Sequence, residues 1–256
     1  MPEVRLVDTH CHLNLPEHFP DPAATIASAR QAGVDRVLVV GIDEPSNRRA
    51  VELAEQFNEV YAIVGWHPNS ASSYSPDARN LIETLASHPK ARAIGEIGLD
   101  YHWDYATEEE QDRCLRDQLD LAKSLDMPVV FHCREAYQDL LDVLEDRPAQ
   151  PYLFHCFSGD AVDAGRAEAL GSYFGVDGPI TYKKSHGLRD LVAQMPPNRI
   201  VLETDSPYMA PEPFRGRPNT PANIPLINNA LAAALGIGSE ECANLTTANA
   251  ERFFGL

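Results

Sequence analysis

Short runs rich in Val, Ile and Leu, bounded by Gly, Pro or polar residues, recur along the whole chain. Eight of them read as strands: VRLVDTHCH (4–12), VDRVLVVGI (34–42), VYAIVGWHP (60–68), ARAIGEIGLD (91–100), MPVVFHC (127–133), PYLFHCF (151–157), GSYFGVDG (171–178) and RIVLETDSP (199–207). Runs this short and this apolar suit strands buried on both faces. Between them lie segments with helical spacing, such as PAATIASARQAG, SNRRAVELAEQF and TEEEQDRCLRDQLDLAKSLD, the last opening with Thr107 and Glu110 at the spacing of a capping box. Strands alternating with helices predict a parallel sheet covered by helices. Eight such repeats in 256 residues favour a closed (β/α)8 barrel, a TIM barrel of the α/β class, over a doubly wound open sheet. No linker or low-complexity run divides the chain, so residues 1–256 are expected to form a single domain, with the proline-rich APEPFRGRPNTPANIP (210–225) as a structured loop after strand eight.

Composition narrows the setting. The N-terminal MPEVRLVDTH lacks the layout of a signal peptide, and no run approaches the ~20 apolar residues of a membrane span. Five cysteines without repeating spacing do not describe a disulfide framework. A soluble, cytoplasmic protein without membrane contact is expected, and no segment calls for an obligate protein partner. The net charge of -17 opposes non-specific binding to phosphate backbones. An anionic substrate would therefore need bound cations and a local basic patch.

Candidate chemistry gathers at one point of the repeat. His10 and His12 close strand one, His67 strand three, Glu96 strand four, His132 strand five, His155 strand six and Asp205 strand eight. In a barrel these ends converge on the face that carries the active site. Side chains alternate along a strand, so His10 and His12 share a face with Asp8, while Thr9 and Cys11 turn away. By the same alternation His132 and His155 face inward, and Cys133 and Cys156 pack outward as small hydrophobes. So many imidazoles and carboxylates exceed what one open catalytic ion takes, which predicts two divalent ions bridged by a carboxylate. Imidazole donors favour Zn²⁺, Mn²⁺, Fe²⁺ or Ni²⁺ over Mg²⁺.

The segments DTHCHLN, GWHP, GEIGLDYH, FHCR, FHCFSG and LETDSPYMAP, in this order and spacing, resemble the TatD family of metal-dependent deoxyribonucleases, within the amidohydrolase-like TIM-barrel enzymes. The resemblance runs from the first strand to the last. It implies hydrolysis of DNA phosphodiester bonds, at single-stranded or frayed ends, by water activated at two divalent ions drawn from Mg²⁺, Mn²⁺ and Zn²⁺. It assigns His10, His12 and Asp205 to one ion and His132 and His155 to the other, with Glu96 bridging them. Asp205 would also orient or deprotonate the attacking water. His67 resembles the family's substrate-side histidine, suited to a phosphate or a further ion, and Tyr208 and Arg215 are placed for the scissile group or the adjacent phosphate. Asn14 stands where many members carry Asp, so a metal or ion-pair role at that position is in doubt.

Basic residues support an anionic substrate independently: Lys183 and Lys184 follow strand seven, and Arg215 and Arg217 follow strand eight, where barrels commonly bind phosphate. Trp66, Tyr101 and Trp103 are candidates for stacking on bases or for packing. An amidohydrolase cleaving C–N bonds is the nearest rival. Enzymes of that class usually bridge their metals through a carboxylated lysine at the end of strand four, where this chain has Glu96; the nearest lysine, Lys90, precedes the strand. An esterase acting on aminoacylated RNA is the second rival. A non-catalytic scaffold is disfavoured, because none of the six ligands is missing.

Overall fold

The computed structural model describes residues 5–256; Val4, which opens the first expected strand, and the other residues before Arg5 in MPEVRLVDTH lie outside them. All eight apolar runs become strands: β1 (Leu6–Cys11), β2 (Val34–Val40), β3 (Val60–Val64), β4 (Ala91–Asp100), β5 (Val129–Arg134), β6 (Tyr152–Phe154), β7 (Tyr173–Val176) and β8 (Ile200–Leu202). The helices are α1 (Pro22–Gln31), α2 (Glu44–Gln56), α3 (Pro76–Ala86), α4 (Glu108–Ser124), α5 (Tyr137–Glu145), α6 (Ala161–Ala169), α7 (His186–Val192), α8 (Ile224–Leu235) and α9 (Ser239–Phe254). The strands form one sheet in the order β1 to β8, and each described pairing is parallel. β1 also meets the segment after β8: Cys11 bridges to Ser206, the His12 amide donates to the Ser206 carbonyl (2.8 Å), and the Asp205 amide donates to that of His10 (2.9 Å). A sequential parallel sheet with alternating helices and joined ends is the expected TIM barrel. Among the described residues no helix is long and apolar enough to cross a membrane.

By contacts the chain has two compact units, one of residues up to Val39 with Phe174–Leu256, the other Val40–Tyr173. In the first, the Thr9 hydroxyl donates to the Leu202 carbonyl (3.0 Å), and Asn249 of α9 donates to that of Ile200 (2.8 Å), so polar side chains fix β8 where the short strand leaves backbone groups over. The proline-rich stretch is the connection from β8 to α8, closed by a 3-10 turn at Pro221–Asn223.

In the second unit the predicted capping box starts α4: the Thr107 hydroxyl accepts from the Glu110 amide, and the Glu110 carboxylate accepts from the Thr107 amide. Two glutamines seven residues apart on this helix are buried. Gln111 takes the Asp100 amide (2.8 Å) and donates to the Asp100 carbonyl (2.9 Å). Gln118 takes the Trp66 amide (2.7 Å) and donates to the Trp66 carbonyl (3.0 Å). One helix face thus fixes the strand-end backbones beside two candidate site loops.

β4 has the expected bounds, so Glu96, expected at the end of its strand, lies inside it, four residues before Asp100. The pairing explains this: β3 is matched to β4 only as far as Ile94, while β5 accompanies β4 from Ile97 to Asp100 after a register shift. Gly98 makes this approach possible. Its φ is +147°, and a Cβ there would lie 1.8 Å from the His132 carbonyl oxygen.

Candidate metal centre

In the first unit, His10 and His12 are buried and both aim at Asp205. Their Nε2 atoms lie 3.9 Å and 3.4 Å from the same oxygen, Oδ1. Asp205 sits three residues beyond β8 at φ +52°, a left-handed conformation that Asp tolerates better than most residues. Neighbouring side chains hold this turn. The Asp8 carboxylate accepts from the Thr204 amide (2.9 Å), the Thr204 hydroxyl (2.6 Å) and the His10 amide (3.3 Å), and Asn219 donates to the Thr204 carbonyl (2.8 Å). Burial pushes the Asp8 carboxyl up to about 8 in spite of these bonds. Asp8 therefore ties β1 to the Asp205 turn. Cys11 faces away, as alternation requires: its thiol donates to the Leu38 carbonyl (3.3 Å), and burial holds its pKa well above the usual thiol value. It is a packed thiol, poorly suited to binding metal as a thiolate.

The second unit gathers the other donors around Glu96, which is 2% exposed. Glu96 Oε1 lies 3.0 Å from His132 Nδ1, 3.0 Å from His155 Nε2 and 3.8 Å from His67 Nε2. The ligand atoms of His67, Glu96 and His132 all fall within 4.8 Å of one another. Three imidazole nitrogens converging on one buried carboxylate oxygen make a donor set that suits a divalent cation. His67, expected on the substrate side, is thus grouped with the ligand candidates. Its ring centroid is 4.4 Å from that of His132, and its Nδ1 accepts from the Asn69 amide (3.0 Å).

Sequence reasoning missed Asp100. Its Oδ2 is 2.8 Å from His132 Nε2, and its Oδ1 accepts from the amides of His102 (3.0 Å) and Trp103 (3.3 Å). Burial alone would lower the His132 pKa, but its bonds to Asp100 and Glu96 outweigh that and raise it. Burial likewise opposes ionisation of Asp100, yet His132 and the two amides bring its pKa below the ordinary carboxylate value. With Nε2–H donated to Asp100, His132 turns Nδ1 toward Glu96, where on losing its proton it would offer a lone pair to a bound cation, the orientation of a histidine ligand held by an outer carboxylate. The readable signal was the last letter of GEIGLD, four residues beyond Glu96. Glu203, two residues before Asp205, is also fully buried and was not singled out; Gly175 makes room for it, since a Cβ there would lie 2.3 Å from its carboxylate.

Strand alternation fails at one position. β6 ends at Phe154, so Cys156 lies in a turn at φ +44°, partly exposed, and is not packed outward from a strand. Asn14 is buried. Tyr208 is 51% exposed with its ring 6.1 Å from that of His12, and Arg215 lies over the Tyr182 ring at 4.4 Å. Lys183, Lys184 and Arg217 are exposed. Trp66 is buried, its indole N–H donating to the Ser70 carbonyl (2.8 Å), which makes it a packing residue.

A TIM barrel with imidazole and carboxylate clusters in and just beyond its strands defines a class of metal-dependent hydrolases. The chain belongs to the TatD-related DNase family, whose model matches residues 7–255. The metal-dependent hydrolase YabD of Bacillus subtilis (strain 168) is 36% identical over 253 residues, 98% of this chain and 99% of that one. A Klebsiella pneumoniae (strain 342) protein named 3'-5' ssDNA/RNA exonuclease TatD is 33% identical over 258 residues, 98% of each chain. The crystal structure of YjjV, a TatD homologue from Escherichia coli K12, covers 99% of both chains at 33% identity with a TM-score of 0.93.

Proposed function

We propose that the protein is a metal-dependent exonuclease that hydrolyses phosphodiester bonds of single-stranded DNA, acting as one catalytic domain in the cytoplasm. The convergence of His132, His155 and His67 on one Glu96 oxygen carries the reading, and family membership supports it. The proposed ligands are His10, His12 and Asp205 for one divalent ion and His132 and His155 for a second, with Glu96 serving both. Ions bound there would lower the pKa of water and offset negative charge on the phosphodiester. The side chains have separable tasks. Asp205, held in its turn by the Asp8–Thr204 bonds, orients the attacking water and takes its proton at a carboxylate oxygen. Asp100 keeps the His132 ring in place. Arg215, supported on Tyr182, and Lys183 and Lys184 beside it attract the substrate phosphates, and Tyr208 contacts the scissile group. Five cysteines without the spacing of a disulfide framework suit a reducing compartment.

Turnover of a single-stranded oligonucleotide by metal-loaded wild type and Asp205→Ala tests this directly. The variant should lose at least a hundredfold in rate, as expected when a positioned general base is removed. Equal release of nucleotides by both proteins would defeat the catalytic assignment.

A further inference from the structure

We propose that the loop after β4 carries a nucleobase-stacking subsite, formed by Trp103 and Tyr105 and flanked by Arg134, which holds an unpaired base of the substrate beside the Glu96–His132 cluster. The proposal rests on the nuclease reading and adds to it a contact that selects single strands. Trp103 is 44% exposed and Tyr105 64%, although most large apolar side chains of the chain are buried. The two rings stack on each other, with centroids 5.8 Å apart and planes 29° apart. The Arg134 guanidinium lies 5.8 Å from the Trp103 ring centroid, and the His102 ring meets Trp103 edge-on at 4.7 Å. Exposed planar faces next to a guanidinium match a base and its phosphate, the pairing by which single-strand binders work. A purely apolar partner would have no use for the cation, which in a chain of net charge -17 is a scarce group.

The loop is tied to the chemistry through one carboxylate. Asp100 accepts the His102 and Trp103 amides on Oδ1 and holds His132 Nε2 on Oδ2. His102 Nδ1 is in turn 2.7 Å from Glu135 Oε1, and Arg134 pairs in register with Asp100. The rings therefore stand on an anchored loop next to a proposed metal ligand, and little ordering is required when a base arrives. Duplex DNA keeps its bases stacked on one another and cannot offer a face to this subsite without unpairing. Stacking reads no base edge, so the contact tolerates any sequence.

Kinetics on oligo(dT) test the proposal with Trp103→Ala, Tyr105→Ala and Trp103→Phe, each against substrates carrying one abasic tetrahydrofuran residue at successive positions from the cleaved end. The alanine variants should raise KM about tenfold, within the range of a base–aromatic contact, with kcat little changed, and Trp103→Phe should recover most of the loss. At one position, removing the base and removing the ring should together cost no more than either alone. Unchanged KM in both alanine variants, or full additivity at every position, would overturn the subsite. Fluorescence supplies a readout independent of turnover, since the other tryptophan, Trp66, is buried. A phosphorothioate oligo(dT) should quench Trp103 saturably in the metal-loaded protein, and its all-abasic counterpart should not. A wild type inert on every oligonucleotide would defeat the nuclease reading, while base-dependent quenching would still support the subsite and its absence would overturn it.

Discussion

Cys11 and His12 are adjacent in sequence and opposite in role. The Cys11 thiol is buried against the Leu38 carbonyl, whereas His12 Nε2 faces Asp205. Cys11→Ser should keep the metal content of wild type, and His12→Ala should lose one ion per chain; elemental analysis of the purified variants checks both. Asp100 makes a finer test. Asp100→Asn keeps the side chain's shape and removes the charge that orients His132, so metal affinity should fall about 10- to 100-fold, measured by competition with a chromophoric chelator. Affinity unchanged from wild type would reduce Asp100 to a structural bond. The candidate donors were legible in the sequence, because each stands in or just beyond a strand run. Asp100 ends the run read as strand four, yet its role was not legible, since its pairing with His132 depends on a register shift against β5 and a close approach at Gly98 that no periodicity records. Cys156 shows the converse: alternation was extended beyond Phe154, where the strand had already ended.

Elements do the positioning. All eight strands were visible as apolar runs because strands buried on both faces must be apolar nearly throughout. The start of α4 was visible because a capping box is a local code in sequence. What α4 does for the site was not, because Gln111 and Gln118 read as ordinary helix residues until their partners 11 and 52 positions away are known. Each satisfies a backbone N–H and a C=O, and the Trp66 carbonyl has besides only a long bond from the Cys114 thiol (3.9 Å) among the described hydrogen bonds. Gln118→Leu should therefore destabilise the fold by roughly 1–3 kcal/mol for each orphaned group, seen as a lower denaturation midpoint in urea. A midpoint equal to that of wild type would mean that the Trp66 backbone finds other partners.

For the molecule as a whole, charge sets the terms of binding. A chain of net charge -17 that takes an anionic substrate must rely on few cations, of which Lys183, Lys184, Arg215 and Arg217 are exposed after β7 and β8. Affinity for single-stranded DNA should be weak and fall steeply with salt, by about tenfold or more between about 50 mM and about 200 mM if these four residues neutralise phosphates. Removing Lys183 and Lys184 together should flatten that slope; a flat slope in wild type would exclude this basic loop from the path of the substrate. The repeat of strand and helix made the barrel legible, and six motifs in register made the family legible. Neither gave the identity of the ion, which is set by distances and outer partners of the donors as well as by their type.

The central claim is that Glu96 serves two ions. Elemental analysis of wild type and Glu96→Ala, each loaded with the same divalent metal and freed of excess, tests it most directly. Wild type should retain two ions per chain, and Glu96→Ala should lose affinity at both sites and cleave no oligonucleotide. A Glu96→Ala protein that keeps both ions at wild-type affinity would contradict the account.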